Sequence, residues 1–185
     1  ALGVDGLYGP AVNIHRNVLN GRNFEYYSED PVLAGIMCAY HVMGAKEQGV
    51  LAYIKHIGPN ESDSGRNGAY KWLTEQSLRE IYLKPFELAV KEGGANAMMS
   101  SFNRIGKVWA GGSYELLTEI LRNEWGFEGM VITDYGTASY MYSDQMIRAG
   151  GDLALFQDRQ PSVSGRMVSP SHRYALRQAT KNILY

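Results

Sequence analysis

Short apolar runs alternate along this chain with helix-length amphipathic stretches, and that alternation admits few folds. The strand candidates are Ala11–Ile14, Val50–Ile57, Ala97–Phe102, Gly129–Thr133 and Leu153–Phe156. Between them lie segments with helix punctuation. Asp30 stands as an N-cap before Pro31, with Gly49 past the end, and Leu33, Ile36, Met37, Tyr40 and Met43 recur at threes and fours as a buried face. A polar loop, Gly58 to Tyr70, leads to a helix opening near Thr74, which Pro85 should kink and Gly93-Gly94 should end. Ser113 caps a helix over Tyr114–Trp125, another runs to Ala149, and a last one spans Ser171–Leu184 after a polar loop over 157–170.

Strands that alternate with helices pair in parallel, so the fold class is α/β, built like a (β/α)8 TIM barrel. About five βα units are present, whereas a closed barrel typically needs ~250 residues. At 185 residues the whole chain reads as one partial domain, an incomplete barrel whose opening strands are missing.

Composition narrows the function classes. Formal charge is −1 with Lys and Arg scattered, so neither nucleic acid nor an anionic membrane is an expected partner. No apolar run approaches the ~18–20 residues of a membrane span. The single Cys38 excludes an internal disulfide and reads as a buried thiol. The four histidines (15, 41, 56, 172) show no metal-ligand spacing, so neither a metal nor another cofactor is expected. The chain starts at Ala1-Leu2-Gly3 with no signal-peptide pattern, which leaves the compartment open.

In parallel barrels the functional side chains gather where strands end. Lys55-His56 ends the second strand, Ser100-Ser101-Phe102-Asn103 the third, and Asp134 the fourth; Arg22, with Asn23 and Glu25, lies after the first. Charged donors beside carboxylates suit a ligand rich in hydroxyls. Trp72, Trp109 and Tyr135 are candidates to stack on sugar rings, Tyr135 first because it follows Asp134. Two readings stand for Asp63 and Arg66: the pocket rim, or a pair with each other in solvent.

Several stretches together resemble glycoside hydrolase family 3, the β-glucosidases and their relatives. They are Gly9-Pro10-Ala11-Val12-Asn13-Ile14-His15-Arg16-Asn17, Gly21-Arg22-Asn23-Phe24-Glu25-Tyr26-Tyr27-Ser28-Glu29-Asp30-Pro31, Lys55-His56-Ile57, Met99-Ser100-Ser101-Phe102-Asn103, and Leu121-Arg122-Asn123-Glu124-Trp125-Gly126-Phe127-Glu128-Gly129 running into Thr133-Asp134-Tyr135. The likeness covers roughly residues 7–156. It implies a retaining, exo-acting hydrolase of terminal β-D-glucosyl or related residues, with Asp134 as the nucleophile that forms a covalent glycosyl intermediate. Arg22, Lys55 and His56 would then grip the sugar hydroxyls, with Tyr135 and Phe102 expected to line the site; Asp63, Arg66 and Trp109 are candidates for its rim. Nearby cations should keep the Asp134 pKa low. The resemblance also implies cis peptides around Lys55-His56.

Departures from the family pattern matter too. Tyr135 stands where Trp is usual, and Phe102 where many members have Tyr. Gly58–Arg66 lacks the Asp-His pair of the N-acetylglucosaminidase branch. In the β-glucosidase branch the general acid is a Glu on a separate α/β sandwich domain, which becomes an expected partner alongside a β-linked oligosaccharide or glucoside. The competing reading is a non-catalytic carbohydrate-binding or scaffolding fragment of barrel shape.

Overall fold

The computed structural model describes residues 3–136, 139–155 and 169–184. In chain order its elements are β1 (Gly6–Leu7), α1 (Pro31–Glu47), β2 (Leu51–Ile57), β3 (Tyr70–Lys71), α2 (Glu75–Ser77), α3 (Lys84–Lys91), β4 (Ala97–Ser100), β5 (Arg104–Ile105), β6 (Val108–Trp109), β7 (Met130–Ile132), α4 (Ser143–Ala149) and α5 (Pro170–Leu184). Wide helical turns cover Leu78–Tyr82 and Glu115–Glu124. The main sheet is parallel throughout, in the order β1-β2-β4-β7. All four residues of β4 are buried, as a central strand covered on both faces requires. A second, mixed sheet of β3, β5 and β6 is built from the loops that follow β2 and β4. The fold is therefore α/β.

The expected first strand is displaced. β1 pairs Gly6 and Leu7 with Leu51 and Ala52, and the chain rejoins the sheet only as a parallel bridge from Ala11 to Lys55. Pro10, which has no N–H to give a ladder, sits between the two contacts after a cis Gly9–Pro10 bond. The fifth strand is reduced to a bridge between Ile132 and Leu153. Phe156 and residues 157–168 of the polar loop lie outside the described residues.

Helix α1 begins as its sequence demands. The Asp30 carboxylate accepts from the Val32 and Leu33 amides at 2.8 Å each, and Gly49 leaves the helix at φ +72°. Its buried face is not the expected one, however. Ala34, Gly35, Cys38, Ala39 and Val42 are inside, whereas Leu33 is 54% and Tyr40 70% exposed. Close packing on α3 explains the reversal: a Cβ at Gly35 would lie 2.6 Å from Leu88 Cδ1, so only small residues fit that contact. The large apolar row turns outward. Cys38 does lie in the core, and burial pushes its thiol up to about 12.

Pro85 breaks the second helical stretch rather than kinking it. Leu83 N–H reaches back to Leu78 O at 2.8 Å, a five-residue step, and α3 restarts with Pro85 in its first turn. There the missing N–H costs nothing. The core lies between sheet and helices, where Val12, Ile54, Met98 and Val131 meet Leu83, Phe86, Leu117 and Leu121.

One buried ion pair ties the last β-strand to the helices around it. Arg122 Nη2 lies 2.7 Å from Asp152 Oδ2 and 2.9 Å from Gly150 O, and its Nη1 lies 3.0 Å from Gly129 O. Asp152 also accepts from Val131 N–H and from Asn182 Nδ2 of α5. Burial raises the Asp152 pKa and lowers that of Arg122, so each charge depends on the other. Arg122→Met strands a buried carboxylate and should cost about 3–5 kcal/mol in urea unfolding, while Arg122→Met with Asp152→Asn recovers part of that loss. Equal losses in the single and double variants would show that the charge pairing contributes nothing.

Candidate active site

A parallel sheet sends the ends of neighbouring strands to one edge, and β2, β4 and β7 are neighbours in the order β2-β4-β7. Lys55 and His56 lie at the end of β2, Ser101 to Asn103 just past β4, and Asp134 two residues past β7. They meet there. His56 Nε2 stands 3.4 Å from Asp134 Oδ2, a contact without hydrogen-bond geometry. Arg22 comes from the turn before a short 3₁₀ segment, Asn23–Glu25. Glu25 joins the cations: one carboxylate oxygen takes Arg22 Nε, and the other lies 3.2 Å from Lys55 Nζ.

Asn13 holds the assembly in register. Its Nδ2 donates to the carbonyls of His56 and Gly58 at 3.0 and 2.9 Å, and its Oδ1 accepts from His56 N–H at 2.8 Å. The Lys55–His56 peptide is cis. The Asn60 amide lies 3.1 Å from His56 Nδ1 and can only donate, so Nε2 carries the ring proton. Burial, then Arg22, Lys55 and Arg66, lower the His56 pKa well below the histidine range, and the ring is neutral at pH 7.

Asp134 departs from the expectation of a low pKa. Its Oδ1 accepts from Tyr135 N–H at 2.7 Å, and Oδ2 has no hydrogen-bond partner. Burial raises its pKa above the ordinary aspartate value, against the pull of the Tyr135 amide and of Arg22, Arg66 and Lys55. Desolvation outweighs three cations. Formal charges around the site nonetheless balance, with Arg22, Lys55 and Arg66 against Glu25, Asp63 and Asp134. Such a site suits a neutral ligand.

The remaining candidates divide. Arg66 is paired with Asp63 at 2.6 Å, as one of the two readings had it, and also lies 4.4 Å over the Phe102 ring. Phe102 is buried beneath that guanidinium, its carbonyl accepting from Tyr140 hydroxyl at 2.7 Å. Tyr135 is 44% exposed beside the carboxylate. Trp109 is not at a rim: it is 2% exposed, packs with Phe102 and Met141, and donates Nε1–H to Ser101 O at 2.8 Å. Position in the hairpin β5–β6 turns that ring inward. Sequence reasoning missed Asn13 and Asn60 as organisers, although a polar residue inside the apolar run Val12-Asn13-Ile14 was the available signal. Among the described residues no cluster of three His, Cys, Asp or Glu side chains is arranged to hold a metal.

Comparison with known proteins shows the family. Residues 1–169 match the model of the glycosyl hydrolase family 3 N-terminal domain. The chain belongs to that family. It is 46% identical over 154 residues to a beta-glucosidase of Rhizobium radiobacter, covering 83% of this chain and 18% of that protein. A Ruminococcus albus beta-glucosidase is 46% identical over 132 residues, covering 71% of this chain and 14% of the relative. The beta-glucosidase 3B of Thermotoga neapolitana, solved in complex with glucose, superposes with a TM-score of 0.86 at 37% identity, over 98% of this chain and 27% of that one. The chain thus spans less than a third of the length of these relatives.

The raised Asp134 pKa has a consequence for stability. Because folding disfavours the ionised form, ionisation costs stability at any pH above the folded pKa. Asp134→Asn should therefore be more heat-stable than the parent sequence at pH 7. The difference should open as pH rises from the unfolded aspartate value, roughly 3.9, through the raised folded value, and then stay constant. Melting curves between pH 3 and pH 8 check this; a variant less stable at neutral pH contradicts it.

Proposed function

We propose that the protein carrying this chain is a retaining, exo-acting β-glucosidase, with Asp134 as nucleophile. The observation that carries this reading is the unpartnered Asp134 Oδ2, buried at the strand ends beside His56 and within the field of Arg22, Lys55 and Arg66. An acceptor without a donor, held among groups that bind hydroxyls, is suited to face an anomeric carbon. Arg22 and Lys55, fixed by Glu25, donate to sugar hydroxyls, and so does His56 through Nε2–H. Tyr135 offers a ring to the leaving-group side. The relatives described above are beta-glucosidases, which supports the substrate class.

Oδ2 attacks the anomeric carbon, the glycosidic C–O bond breaks, and the leaving oxygen takes a proton from a general acid. Water then attacks the anomeric carbon of the glycosyl ester, gives its proton to the same group, now a carboxylate acting as base, and the C–O bond to Asp134 breaks to release its carboxylate. Glu25 is tied to two cations and Asp63 to Arg66, so neither serves as that acid. The acid in this reading is a Glu on an α/β sandwich domain of the same protein, and residues 1–185 are one part of a (β/α)8 barrel whose opening strands come earlier.

The test uses the complete natural polypeptide that carries these residues. Asp134→Asn should lower kcat on an aryl β-glucoside by roughly three decades or more, as expected for loss of a covalent nucleophile. A 2-deoxy-2-fluoro β-glucoside should label the wild type once, on the peptide that contains Asp134. Label on another peptide removes the assignment. Sugar binding with no turnover of any aryl glycoside would favour a non-catalytic carbohydrate-binding protein instead.

A further inference from the structure

A groove of about 840 Å³ opens between the Arg16–Val18 loop and the segment from Pro59 to Leu73, next to the Asp134 cleft. Its lining includes Arg16, Asn17, Glu61, Tyr70, Lys71 and Trp72, and none of Arg22, Lys55, His56 or Asp134. The groove adjoins the Asp134 site through Asn60, which holds the His56 ring and stands in the chain between the lining residues Pro59 and Glu61.

Two independent features mark the groove as built. The first is aromatic. Trp72 is 73% exposed, whereas Trp109 and Trp125 are 2% and 9% exposed, so one of three tryptophans is left in water. Its ring lies on the β5–β6 turn, since a Cβ at Gly106 would stand 3.5 Å from it. Tyr70, two residues earlier, is 52% exposed and braced by the Arg104 guanidinium 4.8 Å from its centroid. Braced aromatic rings open to solvent match the apolar faces of pyranoses.

The second is a buried carboxyl group. Glu61 is 6% exposed, and its Oε1 has no hydrogen-bond partner. Burial pushes its pKa up to about 7, against the amides of Glu61, Asn60 and Ile14 and the charge of Lys71. Leaving such a group unpaired is unfavourable, and a hydroxyl-bearing ligand offsets that cost. Near neutral pH the group is present in both forms, so it both accepts and donates. Lys71 and Arg16 add donors for ring and hydroxyl oxygens.

We propose that this groove is a second saccharide-binding site, separate from the Asp134 cleft, for a neutral oligosaccharide of β-linked pyranoses. Trp72 and Tyr70 supply the stacking faces, and Glu61 the buried hydrogen-bonding group. Binding here does not depend on the nucleophile assignment, and its test is independent of it.

The experiment titrates thio-linked cellotetraose, which resists hydrolysis, into the complete natural polypeptide held in saturating glucose to fill the Asp134 cleft. Trp72→Ala should weaken the remaining binding about tenfold, Trp72→Phe should restore most of it, and Glu61→Gln should weaken it about threefold. KM and kcat for an aryl glucoside should stay within about twofold of wild type in the Trp72 variants, because that substrate reaches only the cleft. Trp72 is largely exposed, so its variants are expected to fold. Unchanged binding in Trp72→Ala overturns the proposal, as does an aryl-glucoside KM that rises in parallel, since the groove would then belong to the cleft. A protein that turned over no glycoside yet kept Trp72-dependent binding would sink the Asp134 reading and leave this one standing.

Discussion

The structure is organised around the cost of burying one carboxyl group. Asp134 sits where the sheet ends, largely out of water, and desolvation alone drives its proton affinity up. Three cations and a backbone amide pull the other way without winning. Neither influence would be worth much at an exposed position, where water screens both. The site therefore requires a rigid floor that excludes solvent, and the parallel sheet with its buried central strand supplies one.

Rigidity at that floor comes from amides more than from ion pairs. Asn13 makes three hydrogen bonds to backbone groups on both sides of His56, and Asn60 fixes the ring's tautomer. A buried amide satisfied three times over has no alternative arrangement of comparable energy. Glu25 does for charge what Asn13 does for backbone. By binding Arg22 and Lys55 together it holds two long, entropically expensive side chains in one geometry before any ligand arrives.

Much of this was legible in the sequence, and the failures share a cause. Cap residues such as Asp30 and Ser113, and the glycines that end helices, act locally, so their signals survive without knowledge of the rest of the chain. Strand-end residues could be gathered because parallel topology alone brings Lys55, His56 and Asp134 to one edge. The exposed row on α1 was misread because periodicity reveals a stripe, and only tertiary contact decides which stripe is buried. There Gly35 and Ala39 allow an approach that Leu33 and Tyr40 do not. Trp109 was misplaced for the same reason, since its inward turn depends on a hairpin between two-residue strands. The direction of the Asp134 shift was also beyond reach: neighbouring cations can be read from motifs, but the depth of burial cannot.

On the proposed chemistry, the opposition between burial and cations serves both halves of the reaction. A higher proton affinity makes a carboxylate a better nucleophile, which favours attack on the anomeric carbon. The same property makes it a poorer leaving group in the second half, when water must displace it. Once the glycosyl ester forms, the Asp134 charge is gone, and Arg22, Lys55 and Arg66 face only Glu25 and Asp63. The site then carries one uncompensated positive charge, and that excess favours the return of the carboxylate. Burial thus acts mainly on the first step and the cations mainly on the second. A site with Asp134 more exposed would lose the first advantage, and one without Arg66 or Lys55 the second.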